Sequence, residues 1–177
     1  MTGLPSFRWL STQKCHTTSI LSTSRTYTRS INGVIDNLFP LLTNSSQAHT
    51  WVVLIGHFLG VDHVGRRVGP DHPTMLAKQQ QMNDVLKRVV NALDQDTLLV
   101  VLGAHGMNRK GDHSGDGDLE VSAGLWIYSK GSALSTRDVP TSHLPHKTFP
   151  SKPSPHHSIQ QIYLVATLSL LLVLPFQ

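Results

Sequence analysis

"TLLVVLGAHGMNRKGDHSGD", residues 97–116, opens on an apolar run from Thr97 to Gly103 that has the length of a buried strand. It closes on a loop with two histidines, two aspartates and three further glycines, an abrupt change from core composition to chemistry-bearing composition. Upstream of it, Met82, Val85, Leu86, Val89, Val90 and Leu93 recur at helical spacing, with Gln79, Gln80, Lys87 and Arg88 mostly off that stripe. Pro73, whose missing N–H costs nothing in a first turn, predicts the start of this helix. Further upstream, Trp51-Val-Val-Leu-Ile-Gly56 is a second continuous apolar run, and Val121 to Tyr128 a third that alternates less cleanly. Strand, helix, strand with wholly apolar strands predicts an α/β fold, a mostly parallel sheet with helices on both faces. In such sheets functional groups gather at the carboxyl ends of strands. The two conspicuous polar segments, 57–72 and 104–118, fall there.

The 177 residues suffice for one domain with its own core. Lys plus Arg is 15 against 11 Asp plus Glu, and the resulting +4 is spread along the chain. No stretch has the basic density of a nucleic-acid arm, so no nucleic-acid partner is expected. The single cysteine, Cys15, allows neither an internal disulfide nor a cysteine-based zinc framework.

Four zones differ in character. Residues 1–30 are polar, rich in Ser and Thr and without clear periodicity, and read as a leader outside the folded part. Residues 31–129 read as the folded domain. Residues 130–158 contain Pro140, Pro145, Pro150, Pro153 and Pro155 and read as a mobile linker whose His143, His146, His156 and His157 are solvated. Residues 159–177 hold an apolar run from Ile162 to Phe176, shorter than the roughly 20 residues a membrane-crossing helix needs, and read as a helix closing the domain. Asn44-Ser45-Ser46 is an N-glycosylation sequon.

The candidate chemistry lies in "HFLGVDHVGRRVGPDHP", residues 57–73, and in the 103–116 loop. Asp62 offers carboxylate oxygens, and His105 and His113 offer imidazole nitrogens, the donors a divalent cation such as zinc accepts. A histidine four residues after Asp62 would complete one face of such a site, but Arg66 stands there, and a guanidinium has no lone pair to give. Residue types alone leave a second reading open, in which these histidines cap loops and satisfy strand ends.

Four blocks, in order, carry a resemblance: "HFLGVDHVGRRVGPDHP", "LLVVLGAHGM", "GDHSGDGDLEVSAGLWIYS" and "IQQIYLVATLSLLLVLPFQ". Together they resemble the luminal catalytic domain of the GPI ethanolamine phosphate transferases, in particular the third type, within the alkaline phosphatase superfamily. The likeness runs from about Ser30 to Gln177, broken only by the Pro/His-rich stretch. It implies an alkaline-phosphatase-like fold, present here incompletely. It also implies transfer of ethanolamine phosphate from phosphatidylethanolamine to a mannose of the GPI precursor, at the luminal side of the endoplasmic reticulum membrane, with a membrane partner subunit. In that family a threonine nucleophile forms a phospho-enzyme, and two divalent cations, typically Zn2+, stabilise entering and leaving oxygens.

Carried over by position, Asp62, His105 and His113 match metal ligands. Arg66 stands where the family has a ligating histidine, and Ala104 where it has an aspartate. The family's early block, with its threonine and a further aspartate, finds no counterpart, so no catalytic residue is nominated. Half of the ligand set remains, which implies a truncated or inactive form of the transferase. The alternatives are a non-catalytic binding or scaffold protein on the same fold, or another metal-dependent phosphodiesterase or sulfatase of the superfamily.

Overall fold

The computed structural model describes residues 27–44, 51, 53–131, 146–149 and 152–171. Most of the stretch read as a leader, Cys15, the middle of the Pro/His-rich stretch, and Ser45 and Ser46 of the sequon lie outside the described residues. The chain divides into two compact units, Met1–Leu134 and Ser135–Gln177.

In the first unit, helix α1 (Tyr27–Thr43) supplies the most deeply buried side chains, Ile31 at 0% and Val34 at 1% exposure. Ile31, Val34, Ile35, Leu38, Phe39 and Leu42 recur at i, i+3, i+4, i+7, i+8 and i+11, one apolar stripe on a helix. That stripe is as regular as the one predicted over 82–93, though set among polar neighbours. Pro40 sits inside α1 and gives up one hydrogen bond of the helix ladder. Near that break Thr43 donates its hydroxyl to the Phe39 carbonyl (2.8 Å), and the Asn44 N–H donates to the Pro40 carbonyl (3.0 Å).

Helix α2 (Gly60–Val68) follows, then α3 (Pro73–Ala92), which begins at Pro73 as the sequence predicts. His72 caps α3, its Nδ1 accepting from the Thr74 N–H at 3.2 Å. The predicted stripe is inward: Val85, Val89 and Leu93 are buried and meet Ile35, Leu38, Phe39 and Leu42 of α1, with Phe58, Leu99 and Tyr128. Burying each such aliphatic side chain stabilises the fold by about 1.5–3 kcal/mol. Arg88 lays its guanidinium over the Phe39 ring, 4.1 Å from the centroid, sealing the α1–α3 seam.

The sheet corrects the expected topology. Strand β1 (Leu98–Leu102) pairs with β2 (Leu125–Ser129) in antiparallel register, Leu98 opposite Ser129 and Leu102 opposite Leu125. A parallel pair needs a crossover, usually a helix of a dozen residues or more. Between these strands the only helix is α4 (Asp118–Val121), a single turn, and the chain folds back so that the Gly103 N–H extends the ladder to the Gly124 carbonyl at 3.0 Å. The third predicted strand therefore starts later than Val121. The first, 51–56, is not seen as a strand: its described residues pair with no neighbouring strand. This apolar run lies along α1 instead. Leu54, Ile55 and Gly56 line a shallow depression with Val34, Leu38 and Leu41, and the Trp51 indole donates to the Leu41 carbonyl at 3.1 Å. Nor are both sheet faces covered among the described residues. Leu99 and Tyr128 pack on α3, while Leu102, Leu125 and Ile127 on the opposite face stay exposed.

In the second unit, β3 (His146–Phe149) and β4 (Lys152–His157) form an antiparallel hairpin with an irregularity between Lys147 and Phe149. Helix α5 (Ile162–Leu171) is apolar apart from Thr167 and Ser169 and the Tyr163 hydroxyl, and Ile162, Tyr163, Val165, Leu170 and Leu171 are exposed. Among the described residues no helix is long and apolar enough to cross a membrane.

Candidate metal centre

Two elements build the site. Helix α2 presents Asp62 and Arg66 one turn apart on a single face, and the loop after β1 presents His105 and His113. The loop reaches α2 through glycines. A Cβ on Gly65 would collide with the Met107 thioether, and one on Gly111 (φ +91°) with the Gly65 carbonyl, so bare backbone is what lets the two meet. Gly106 is pressed against the Leu119 and Ser122 carbonyls and donates its N–H to the Glu120 carbonyl at 2.8 Å.

Two polar side chains then fix the loop's path. The Asn108 amide oxygen accepts from the N–H groups of Lys110 (2.8 Å) and Asp112 (3.0 Å), an Asx-type turn that delivers His113 to the site. The Glu120 carboxylate accepts from the Asn108 amide (3.3 Å) and the Gly115 N–H (3.2 Å). Neither Asn108 nor Glu120 stood out in the sequence. Their only signal was an Asn and a Glu flanking a loop dense in glycine.

The structure brings the three sequence-nominated residues together. Ligand atoms of Asp62, His105 and His113 all lie within 4.8 Å of one another. His63 and Asp112, next to them in sequence, are not part of this cluster. Asp62 Oδ1 is 3.4 Å from His113 Nε2 and 4.0 Å from His105 Nε2, and the two imidazoles stack with centroids 4.0 Å apart. The Nδ1 of His105 donates to the Gly106 carbonyl at 2.8 Å. A carbonyl only accepts, so Nδ1 carries a proton, and the ring turns its Nε2 toward Asp62. His113 Nε2 is shielded from water and makes no hydrogen bond, although Asp62 Oδ1 lies 3.4 Å away. A buried nitrogen without a partner carries a desolvation cost that a bound cation would remove.

Arg66 occupies the remaining side of Asp62. Its Nε lies 3.1 Å from Oδ1 and 3.0 Å from Oδ2, so one N–H faces both carboxylate oxygens. The sequence showed that Arg66 cannot ligate a cation. It did not show that Arg66 would hold the carboxylate that can, although Asp and Arg four apart on a helix are placed to pair.

A match to the model of type I phosphodiesterases / nucleotide pyrophosphatases extends over residues 8–118, from within the first 30 residues to the start of α4. The chain belongs to that family. The family fits the alkaline phosphatase superfamily that the sequence blocks resemble. Among curated relatives, this phosphodiesterase-family chain is 46% identical over 145 residues to the Mus musculus "GPI ethanolamine phosphate transferase 3, catalytic subunit", covering 81% of this chain and 12% of the relative. It is 47% identical over 120 residues to the Schizosaccharomyces pombe "GPI ethanolamine phosphate transferase 3", covering 68% and 12%. With the Yarrowia lipolytica "GPI ethanolamine phosphate transferase 2" it shares 40% over 132 residues, covering 73% and 15%. The chain thus spans about an eighth of the length of the first of these relatives. No solved structure matches it.

Whether the residues fit the metal of this family is a matter of donor count. Ligands at about 2.0–2.1 Å around a tetrahedral zinc stand about 3.3 Å apart. The Asp62–His113 spacing already meets that, and His105 needs only a small shift. One cation fits. A second would need donors beyond His105, and the preceding side chain, Ala104, offers none.

Proposed function

We propose that this chain serves GPI-anchor biosynthesis as a transferase-type domain whose metal centre, among the described residues, keeps one ion position and not the second. The family and the identity to type 3 transferases support the pathway. The observation that carries the one-ion reading is the converged Asp62, His105 and His113 set with Ala104 beside it. By the same likeness, the substrates are phosphatidylethanolamine and the mannose-bearing GPI precursor. The setting is the luminal face of the endoplasmic reticulum membrane, with a membrane partner subunit.

In this reading the preferred ion is Zn2+. When bound, it would draw charge from a phosphoryl oxygen. The chain's own residues hold that position: Asp62 supplies the negative charge, His113 a donor nitrogen with no competing partner, and His105 a donor oriented by Gly106. Transfer in this family relies on paired cations at the entering and leaving oxygens, and a single ion position leaves one of those oxygens uncompensated. The domain therefore binds but does not transfer.

Two measurements test this. Zinc content after gentle purification is expected at no more than one equivalent per chain. Labelled ethanolamine phosphate is expected not to move from phosphatidylethanolamine to the GPI mannose. Two equivalents of zinc or sustained transfer would overturn the reading. Arg66→His combined with Ala104→Asp restores two donors and should raise zinc affinity. An unchanged titration would count against the positional match.

A further inference from the structure

We propose that Arg66 is a built-in competitor for a single first-row divalent cation at Asp62, His105 and His113, so that ion binding is an exchange of partners at one carboxylate. This rests on the one-ion reading above and adds to it a device that sets the ion's affinity. The cluster is a mixed set: His105, directly after Ala104, turns its Nε2 to the same Asp62 oxygen as His113. Two imidazole nitrogens and one carboxylate favour zinc, cobalt, nickel or copper over magnesium or calcium, which ask for oxygen donors.

The geometry at Asp62 sets the two cations in competition. Both carboxylate oxygens face the Arg66 Nε, at 3.1 and 3.0 Å, so an ion that takes Oδ1 must displace or weaken that contact. The Arg66 side chain is 54% exposed, whereas Asp62 is 19% and His113 16% exposed. The guanidinium is the most exposed of the participants, ahead of His105 at 36%, and has open solvent to move into. It is the last residue but two of a short helix, with a long unbranched side chain, so its departure leaves the backbone of α2 in place. The orphaned His113 Nε2 marks the opposite side of the exchange, because it gains a partner only when the ion arrives.

The strength of the competition follows from two ordinary effects. An exposed ion pair at this spacing is worth up to about fivefold in an equilibrium. A fixed positive charge about 6 Å from a divalent ion weakens its binding by about tenfold at low salt, even in a water-like dielectric. The guanidinium either leaves, at the first cost, or stays, at the second, so Arg66→Gln should tighten cation binding by about five- to tenfold at low salt, with the gain shrinking as salt is added.

The test is a Co2+ titration of the full chain, followed by visible absorption, for the natural sequence, Arg66→Gln, Arg66→Lys and His113→Ala, with far-UV circular dichroism to show each is folded. The expected result is one equivalent of Co2+ in the natural chain and tighter binding in Arg66→Gln, by a margin that narrows as salt is added. Arg66→Lys, which keeps the charge, should stay within about threefold of the natural chain. His113→Ala should lose about a hundredfold or more, because a ligand itself is removed. Equal affinity in the natural chain and Arg66→Gln, with one equivalent retained, would overturn the competitor role while leaving the one-ion reading intact. Two equivalents, or no binding in any folded variant, would overturn both.

Discussion

The α1–α3 layer and the loop from Gly103 to Gly117 are ordered by different physics. In the helical layer, position is set by burial: Ile31, Val34, Val85 and Val89 are withdrawn from water, and the helices follow their stripes. In the loop hardly any apolar side chain is buried. Its course is set by glycines that close on carbonyls and by two polar side chains, Asn108 and Glu120, that collect backbone and amide N–H groups. An apolar core tolerates compromise over many contacts, whereas a loop of this kind depends on single bonds with no substitute.

That contrast can be tested in order of expected effect. Ile31→Ala should cost about 2–5 kcal/mol in urea unfolding, the response of a filled core to a cavity. A loss below 1 kcal/mol would mean that α1 is not the anchor of the layer. Gly106→Ala places a methyl group against the Leu119 and Ser122 carbonyls. It should cost about 1–3 kcal/mol, and hydrogen exchange should speed up across 103–122 more than across α3. Glu120→Ala removes the acceptor of two bonds and should cost about 1–2 kcal/mol, while lowering Co2+ affinity because His113 loses its fixed approach. If Co2+ affinity does not change, the loop is held by its glycines alone. At the small end, the exposed Asp84–Lys87 pair (3.7 Å) on the outer face of α3 should contribute less than about 0.5 kcal/mol, seen as an unchanged midpoint in Lys87→Ala.

The same division explains what the sequence disclosed. Helix α3 was legible to its first residue because Pro73 and the 82–93 stripe are local signals. The α1 stripe was equally local and was there to be counted, but Ser30, Asn32 and Asn37 masked it among polar neighbours. Strand direction was not legible, since an apolar run says nothing about which neighbour will share its hydrogen bonds. Leu54, Ile55 and Gly56 lie beside α1, a contact that an apolar run does not announce any differently from a strand's. At the site, the sequence supplied the three donors by type and position. It could not supply their convergence, which depends on Gly65 and Gly111 meeting across the site, or the hold of Arg66 on Asp62.

One side chain at the far end of the sheet has a consequence of its own. The Lys130 ammonium, just past β2, donates to the carbonyls of Asn91 (3.0 Å) and Leu93 (2.6 Å) at the end of α3. Those are peptide oxygens that a helix terminus leaves without partners. A single positive group thus clasps the tail of α3 to the strand that returns from the loop, and neither can fray without releasing the other. Heat should open both places in one event, and acetylating that amine should split it into two.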